Sequence, residues 1–209
     1  MTMSLLTFKQ IGPVVSSMAF RDLLHDVQSI GERTSLVHEM LNYSVERGNP
    51  PLIFDNIVES DGHSAAINVL TRDRICKTFD ISPGDLIDMM AWAMENPSEP
   101  TIIREEDAHV FENKQDQVDL EKIPIPWHYP EDKGRYQSAS VIIAQYGGIR
   151  NMSFHRQYLR DKNHTVARFV PRHLRQMMEL AQENGDEVPI AVINGPDAVV
   201  LLAAAMSFN

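Results

Sequence analysis

The residues best suited to chemistry lie in one stretch of the chain, residues 150–175. This stretch carries three His and seven Arg or Lys, although the formal net charge of the whole chain is −10. Cationic side chains that lie close together repel one another unless an anion or neighbouring carboxylates offset their charge. The stretch therefore predicts either a site that binds an anion, such as a phosphate, or a basic face that is simply solvated.

Local patterns predict how the chain positions these side chains. Alternation of apolar and polar residues predicts one strand over residues 150–159 and a second over 164–170, with a turn signal at 161–163. Pro171 ends the second strand, and the residues that follow predict a helix over 172–184. The side chains that this hairpin and helix start would present are Asn151, Ser153, His155, Arg156, Arg172 and His173.

Two physical arguments give this set of side chains a chemical role. The backbone N–H groups at the start of a helix have no partner within the helix, so they bind anions, most naturally a phosphate. An Asn and a His that are brought together, as predicted for Asn151 and His173, can share a metal ion. We therefore predict a site for a phosphorylated cofactor, with or without a bridging divalent cation.

The same residues form a motif that resembles the prenylated-FMN-binding signature of the UbiD family of carboxy-lyases. The motif is Asn151-x-Ser153-x-x-Arg156, followed by Val170-Pro171-x-His173. The flanking features that agree with the family are Leu120-x-x-Ile123-Pro124, Pro130-x-Asp132-x-Gly134-x-Tyr136, the strand-like 188–192, the Ala-rich 196–206 and the opening 20–24. The likeness covers most of the chain and is densest over residues 120–206.

The resemblance implies a role for each residue of the motif. Asn151 and His173 would bind a divalent metal, commonly manganese in this family, together with the cofactor phosphate. Arg156 would be the catalytic residue, because it would hold the substrate carboxylate. The cofactor-binding residues that the resemblance implies are Asn151, Ser153, Phe154, His155, Arg156, Arg172, His173 and Met206. Backbone around Met152, Ala203 and Met206 would bind a potassium ion.

The resemblance also implies a reaction, the reversible non-oxidative decarboxylation of an unsaturated or aromatic carboxylic acid with prenylated FMN, or FMN, as cofactor. In the family, a third metal ligand and a Glu-rich catalytic segment follow the Ala-rich helix, and this sequence stops at Asn209, before both. We therefore expect a truncated enzyme, a split enzyme or a non-catalytic remnant. The alternatives are a flavin-binding split-barrel protein without decarboxylation and a subunit that needs a second chain for the catalytic Glu.

Composition excludes several classes of protein. The 19 basic and 29 acidic residues argue against a general nucleic-acid-binding protein. The sequence contains no apolar stretch long enough to span a membrane. The single cysteine, Cys76, suits a reducing compartment, so we expect a cytoplasmic protein. The expected partners are a small carboxylic acid and either a second copy of the chain or a second UbiD-like chain.

The fold class predicted is mixed, α+β or α/β, in two domains. Residues 1–113 are predicted to form an N-terminal α/β domain, and residues 114–209 a partial split β-barrel of the flavin-reductase-like type. The predicted elements of the first domain are helices over 17–29 and from Thr34 to Gly48, strands over 52–54 and 65–70, and a helix from Ser82. Those of the second are strands over 138–146 and 188–193, a turn at Gly147-Gly148 and a last helix from Pro196, in addition to the hairpin and helix above. Residues 95–117 are predicted to connect the two domains.

Overall fold

The structure, a computed structural model, describes residues 19–206. The α-helices of this part are α1 (Glu39–Val45), α2 (Arg72–Thr78), α3 (Leu86–Glu95), α4 (His173–Asn184) and α5 (Ala198–Ala205). Its strands are β1 (Gln28–Ile30), β2 (Leu52–Phe54), β3 (Ala65–Ile67), β4 (Tyr136–Gln137), β5 (Val141–Tyr146), β6 (Ile149–Phe154), β7 (Gln157–Asp161), β8 (His164–Ala167) and β9 (Ile190–Ile193). The mixed α/β class predicted from the sequence is therefore confirmed. None of the described helices is both long and apolar enough to cross a membrane.

The first sheet, with strand order β1-β2-β3, organises the N-terminal part. β1 and β2 are parallel and β2 and β3 are antiparallel. The alternating burial of β2 places Leu52 and Phe54 in a core with Ile30, Leu36 and Met40, so that α1 contributes to the same core. Burial of such large apolar side chains is the main stabilising contribution of this part.

Two helix predictions in this part are wrong in extent. The predicted helix over 17–29 is instead a 3₁₀ helix at Phe20–Leu24 followed by β1, while residues 17 and 18 lie outside the described residues. Pairing of β1 with β2 is a long-range contact that outweighs local helical periodicity. The helix predicted from Thr34 begins only at Glu39, because the Thr34 carbonyl, which would accept the first hydrogen bond of that helix, accepts from the Val58 N–H over 3.1 Å.

Two further helices differ from the prediction. The last helix of the N-terminal part begins at Leu86 rather than near Ser82. α2 was not predicted, although it carries a standard start signal: the Thr71 hydroxyl accepts a hydrogen bond from the Arg74 N–H. The strand predicted over 65–70 is shorter, since β3 ends at Ile67.

The connection predicted over residues 95–117 has no α-helix or strand between Asn96 and Asp119 in the described structure, only 3₁₀ turns at Glu105–Asp107 and His109–Phe111. Residues beyond it still contact the N-terminal part. The Trp127 N–H donates to Leu36 O over 2.8 Å, and the His38 N–H donates to Trp127 O over 2.9 Å. The boundary near residue 114 remains a prediction.

A side chain fixes the segment that leads into the second part. The Arg135 guanidinium donates to the carbonyls of Ile125 (2.7 Å), Glu121 (3.0 Å) and Ile123 (2.7 Å). Burial lowers the pKa of Arg135 from its ordinary value, and the three carbonyl oxygens compensate for the lost hydration. Arg135, the residue directly before β4, therefore links three carbonyl groups of residues 121–125, at the end of the 3₁₀ helix Leu120–Lys122.

The second part contains two antiparallel sheets, with strand orders β6-β5-β9 and β4-β7-β8. The single strand predicted over 150–159 is therefore wrong: it is two strands, β6 and β7, which belong to different sheets. β6 pairs with β5 up to Phe154, and β7 pairs with β4 from Gln157. Because β4 and β5 are themselves separated by residues 138–140, both strands of this long hairpin change sheet at the same corner.

The turn of the hairpin has the geometry that its glycines indicate. Gly147 and Gly148 have φ of +58° and +80°, as two-residue turns that match the twist of the flanking strands require. A Cβ added at Gly147 would overlap Leu180 of α4, whereas one added at Gly148 would meet no atom within 4 Å.

Replacement of these two glycines by Ala should therefore have unequal effects. Gly148→Ala should lower the free energy of unfolding by about 1 kcal/mol, the cost of a positive φ alone. Gly147→Ala should lower it further, because Leu180 must also move. Urea unfolding of both variants measures the difference, and equal losses would contradict the packing of α4 against the turn.

Helices α4 and α5 cover opposite faces of the sheet β6-β5-β9. Leu174 and Met177 of α4 pack against Ile142 and Ala144 of β5. The other face is covered by α5: Ala198, Leu201 and Ala204 pack with Val141, and the side chains of Met152 and Phe154 lie against that core. Which face a β6 residue occupies therefore decides which helix it meets.

Candidate functional site

Three polar side chains of the predicted site form a hydrogen-bonded row. The Asn151 amide Nδ2 donates to Ser153 Oγ over 2.8 Å, and Ser153 Oγ is 2.8 Å from His155 Nε2. Asn151 and Ser153 lie opposite Ala144 and Ile142 in the antiparallel register. Since directly opposite residues share a face, the row lies on the α4 face of the sheet. Of the four side chains that the predicted hairpin would present, three lie in this row, whereas Arg156 contacts Asp132 instead.

The start of α4 is brought to the same face. The His155 ring packs edge-on against Phe169, with centroids 4.9 Å apart, and the chain then continues through Pro171 into α4. Arg172 is the N-cap residue of α4. A guanidinium carries only hydrogen-bond donors, so the Arg172 side chain cannot accept from the first N–H groups of the helix. His173 is the first helical residue and is exposed. The helix predicted over 172–184 is thus confirmed, and its first N–H groups have no side-chain cap.

Burial affects the protonation of His155 within this row. Desolvation in its half-buried position lowers the pKa of His155 from its ordinary value. At neutral pH the ring is therefore mainly uncharged. It forms one hydrogen bond with Ser153, in which the His155 Nε2 donates or accepts according to the tautomer.

The lowered pKa predicts a contribution to stability that depends on pH. Below the ordinary His pKa of about 6.5, the unfolded chain binds a proton at this position that the folded chain resists. The free energy of unfolding should therefore fall as the pH is lowered from 7.5 to 5.5, and His155→Gln should reduce that fall. Urea unfolding at three pH values measures it, and an unchanged slope in the variant would contradict the burial argument.

Arg156 lies at the corner where the chain passes from one sheet to the other, and its guanidinium contacts Asp132 and Tyr136. Its Nη2 donates to Asp132 Oδ1 over 2.6 Å, and its Cζ lies 4.1 Å from the centre of the Tyr136 ring. The guanidinium thus combines an ion pair with a cation–π contact. His128 is close enough to this pair to feel both charges, and desolvation, the larger effect, lowers its pKa. Tyr136 and His128 also line a cleft of about 780 Å³.

The structure separates some of the other residues predicted for the site. The side chains of Phe154 and Met152 lie on the α5 face, opposite the polar row. Met206 follows α5 directly, and its N–H donates to Ala203 O over 3.2 Å. Any contact of Phe154, Met206 or Ala203 with a ligand on the α4 face would have to come from their backbone or around the end of the sheet. Their predicted roles remain predictions.

The donor atoms fit the predicted metal only in part. No group of three or more His, Cys, Asp or Glu that could hold a metal ion occurs within residues 19–206. Asn151 and His173 supply two donors of the right kind. The Asn151 nitrogen is engaged with Ser153, so its amide oxygen, the atom that a hard cation prefers, lies outside that hydrogen bond. The remaining coordination would come from a cofactor phosphate, water or other protein ligands.

The sequence analysis missed the role of Asp132 and Tyr136, which appeared there only as parts of the upstream motif, and it gave His128 no role. The signal available was an acid four positions before the aromatic residue that begins β4, the strand that pairs with β7 directly after Arg156. Only the register of β4 with β7 shows that these residues reach Arg156.

Comparisons with known proteins show the family of the chain. Residues 101–209 match the family described as UbiD, 3-octaprenyl-4-hydroxybenzoate carboxy-lyase Rift-related domain. The chain is 30% identical to anhydromevalonate phosphate decarboxylase of Methanothermobacter thermautotrophicus over 190 residues. This aligned region covers 87% of this chain and 44% of that protein. The chain is 31% identical over 151 residues to the decarboxylase of the same name from Archaeoglobus fulgidus, which covers 71% of this chain and 35% of that protein.

Solved structures show the same fold. An evolved dimeric form of the UbiD-class enzyme HmfF from Pelotomaculum thermopropionicum, in complex with prFMN, matches with a TM-score of 0.80 and 22% identity over 91% of this chain and 51% of that one. The closed form of vanillic acid decarboxylase from Sedimentibacter hydroxybenzoicus matches with a TM-score of 0.79 and 16% identity over 88% of this chain and 44% of that one. The chain spans less than half the length of the curated relatives named above. The relatives named here are decarboxylases. Because the family match covers residues 101–209, more than half of the chain, this chain belongs to the UbiD family.

Proposed function

We propose that this chain is the cofactor-binding portion of a prenylated-FMN-dependent decarboxylase that acts reversibly on an unsaturated or aromatic carboxylic acid. The observation that carries the proposal is the hydrogen-bonded row Asn151–Ser153–His155, which faces α4 and is followed directly by Arg156. Membership of the UbiD family supports the reaction class. The relatives are named for substrates that range from anhydromevalonate phosphate to vanillic acid, so they support a carboxylic acid and no particular one.

The polar row and the start of α4 would hold the cofactor phosphate. Asn151 Oδ1 and the His173 ring would bind a divalent cation, which we propose is manganese. The first N–H groups of α4 would offset the remaining charge of the phosphate. Arg172 would add a cationic contact at the same helix end. Backbone carbonyls near Met152, Ala203 and Met206 would bind a potassium ion.

The segment Ser153-Phe154-His155 would lie along the flavin, which when bound supplies an electron sink for the bond that releases carbon dioxide. The chain's own part is to bind and orient. His155, uncharged at neutral pH, and Ser153 would place a neutral hydrogen-bonding edge against the ring system. Arg156 would hold the substrate carboxylate by charge-assisted hydrogen bonds.

We further propose that the two antiparallel sheets form part of a split β-barrel and that the protein works as an oligomer, either with itself or with a second UbiD-like chain. The dimeric form of a structural relative supports association. The alternative is a flavin-binding subunit that needs a second chain for the catalytic Glu. The pairing of Arg156 with Asp132 is the observation that favours it, because no described Glu reaches Arg156.

The proposal is tested by the colour of the protein. Expression together with a flavin prenyltransferase, in medium with manganese, should give purified protein with a flavin absorbance band at a stoichiometry near one per chain. The double variant Asn151→Ala/His173→Ala should be colourless while keeping its far-ultraviolet circular dichroism. Colourless wild-type protein under these conditions, with added FMN also failing to bind, would overturn the proposed function.

A further inference from the structure

We propose that Asp132 is a positioning residue for Arg156: it fixes the guanidinium so that the remaining N–H groups face the substrate carboxylate. The inference rests on the proposed function, because it assumes that Arg156 binds that carboxylate. It adds a residue from outside the polar row and the start of α4.

The geometry of the pair is the first argument. Asp132 Oδ1 accepts from a single guanidinium nitrogen, Nη2, over 2.6 Å, and the guanidinium Cζ lies 4.1 Å from the centre of the Tyr136 ring. Two contacts therefore restrain the group. A planar guanidinium has five N–H donors, so N–H groups remain to bind a second carboxylate.

The difference in exposure is the second argument. The Asp132 side chain is 20% exposed, whereas the Arg156 side chain is 57% exposed. The Asp132 carboxylate is thus mostly buried, while the Arg156 guanidinium extends into solvent. Two long, mobile side chains on a surface would both be exposed, and such pairs contribute little to stability. Here the less mobile partner can direct the more mobile one.

The support behind Asp132 is the third argument. Its N–H closes a turn by donating to Tyr129 O over 3.0 Å. Gly134, two residues after this turn, packs so closely under Tyr158 that an added Cβ would lie 3.1 Å from Cε2 of that ring. Tyr158 in turn pairs across the strands with Tyr136, with ring centres 5.3 Å apart. The acid and the ring that contact Arg156 are therefore anchored to each other through one aromatic pair.

The negative charge of Asp132 by itself would weaken the binding of the substrate carboxylate. A fixed carboxylate repels a substrate carboxylate that approaches the same guanidinium. Fixing the Arg156 side chain in advance favours binding, because less conformational entropy is lost when the substrate binds. The two effects can be separated by two variants that both remove the charge: Asn keeps an oxygen that accepts from Nη2, and Ala does not.

The test is therefore a comparison of Asp132→Asn with Asp132→Ala. The affinity for benzoate, an aromatic carboxylate, is measured by calorimetry on protein that contains FMN and manganese. Asp132→Asn should bind benzoate about fivefold more tightly than Asp132→Ala. The Arg156 side-chain Nε–H resonance should stay sharp and slow to exchange in the wild type and in Asp132→Asn, and become averaged in Asp132→Ala. Glu179→Ala, which breaks the exposed Arg175–Glu179 pair, serves as the control and should change neither measurement.

Equal affinity of the Asn and Ala variants, with equal Arg156 resonances, would overturn the inference and leave Asp132 as a competing charge. Benzoate binding that is absent from the wild type, or unaffected by Arg156→Ala, would also overturn it. Neither result touches the flavin absorbance band, on which the proposed function depends. A missing band would overturn that function instead, so the two failures are distinguishable. Equal thermal unfolding of both Asp132 variants confirms that the fold is intact in the comparison.

Discussion

His173→Ala is expected to abolish the manganese-dependent binding of FMN, with a loss of affinity of about 100-fold or more. Loss of a residue that only supports a metal ligand typically weakens metal binding by about 10- to 100-fold, and loss of a ligand should weaken it at least as much. His173 is the first residue of α4 and is exposed, so its replacement leaves the buried face of that helix intact. Calorimetric titration of FMN with and without manganese measures the effect.

The matched control for this experiment is His164→Ala. His164 is also exposed and belongs to the same part of the chain, but it lies in the hairpin of β7 and β8 and its ring interacts with Asp161. This variant should bind FMN as the wild type does, with the same dependence on manganese. If wild type and His173→Ala bind FMN equally well whether or not manganese is present, the proposed metal bridge is wrong, and the helix N–H groups alone would account for phosphate binding.

Arg135→Ala should lower the free energy of unfolding by about 3 kcal/mol. Three carbonyl groups of the turn before β4, those of Glu121, Ile123 and Ile125, share this one guanidinium. A buried hydrogen bond to a charged group contributes about 1.5–3 kcal/mol, but one of these three is exposed and two are only partly buried, so water offsets much of the loss and the total stays at about 3 kcal/mol. Urea unfolding followed by circular dichroism measures the loss.

Two further variants sharpen this prediction. Arg135→Lys keeps the charge but loses the planar arrangement of donors, so it should be intermediate. Arg175→Ala removes an exposed Arg that pairs with Glu179 one helical turn away, and should cost about 0.5 kcal/mol or less. A stability of Arg135→Ala within about 0.5 kcal/mol of the wild type would show that the turn before β4 is held by other contacts.

Elements with local signals were predicted well from the sequence. Pro171 before α4 and Gly185 after it, which has φ of +72°, mark both ends of that helix. Gly147-Gly148 marks the turn between β5 and β6. Asn151, Ser153 and His155 lie two positions apart, and side-chain direction in a strand repeats every two residues, which agrees with the row that they form. No tertiary information was needed for these features.

Features set by long-range pairing could not be predicted in the same way. β1 forms from a stretch with helical periodicity because Leu52–Phe54 pairs with it. The start of α1 is delayed to Glu39 by His38, which adopts φ of +65° while its N–H bonds to Trp127. The contact of Arg156 with Asp132 joins residues 24 positions apart, and it depends on the corner in the hairpin. Neither propensity nor periodicity contains that information.

The corner between β6 and β7 has a consequence for the whole proposed catalytic arrangement. His155 ends the row proposed for the cofactor, and Arg156 begins the part proposed for the substrate, so one peptide bond joins the two. Consecutive Cα atoms are about 3.8 Å apart across such a bond, whatever surrounds them. The separation of these two Cα atoms is thus fixed by covalent geometry, so the distance between the His155 ring and the Arg156 guanidinium can change only by rotation about single bonds. Repacking of the core can tilt the two sheets against each other, but it pivots them about a link of constant length.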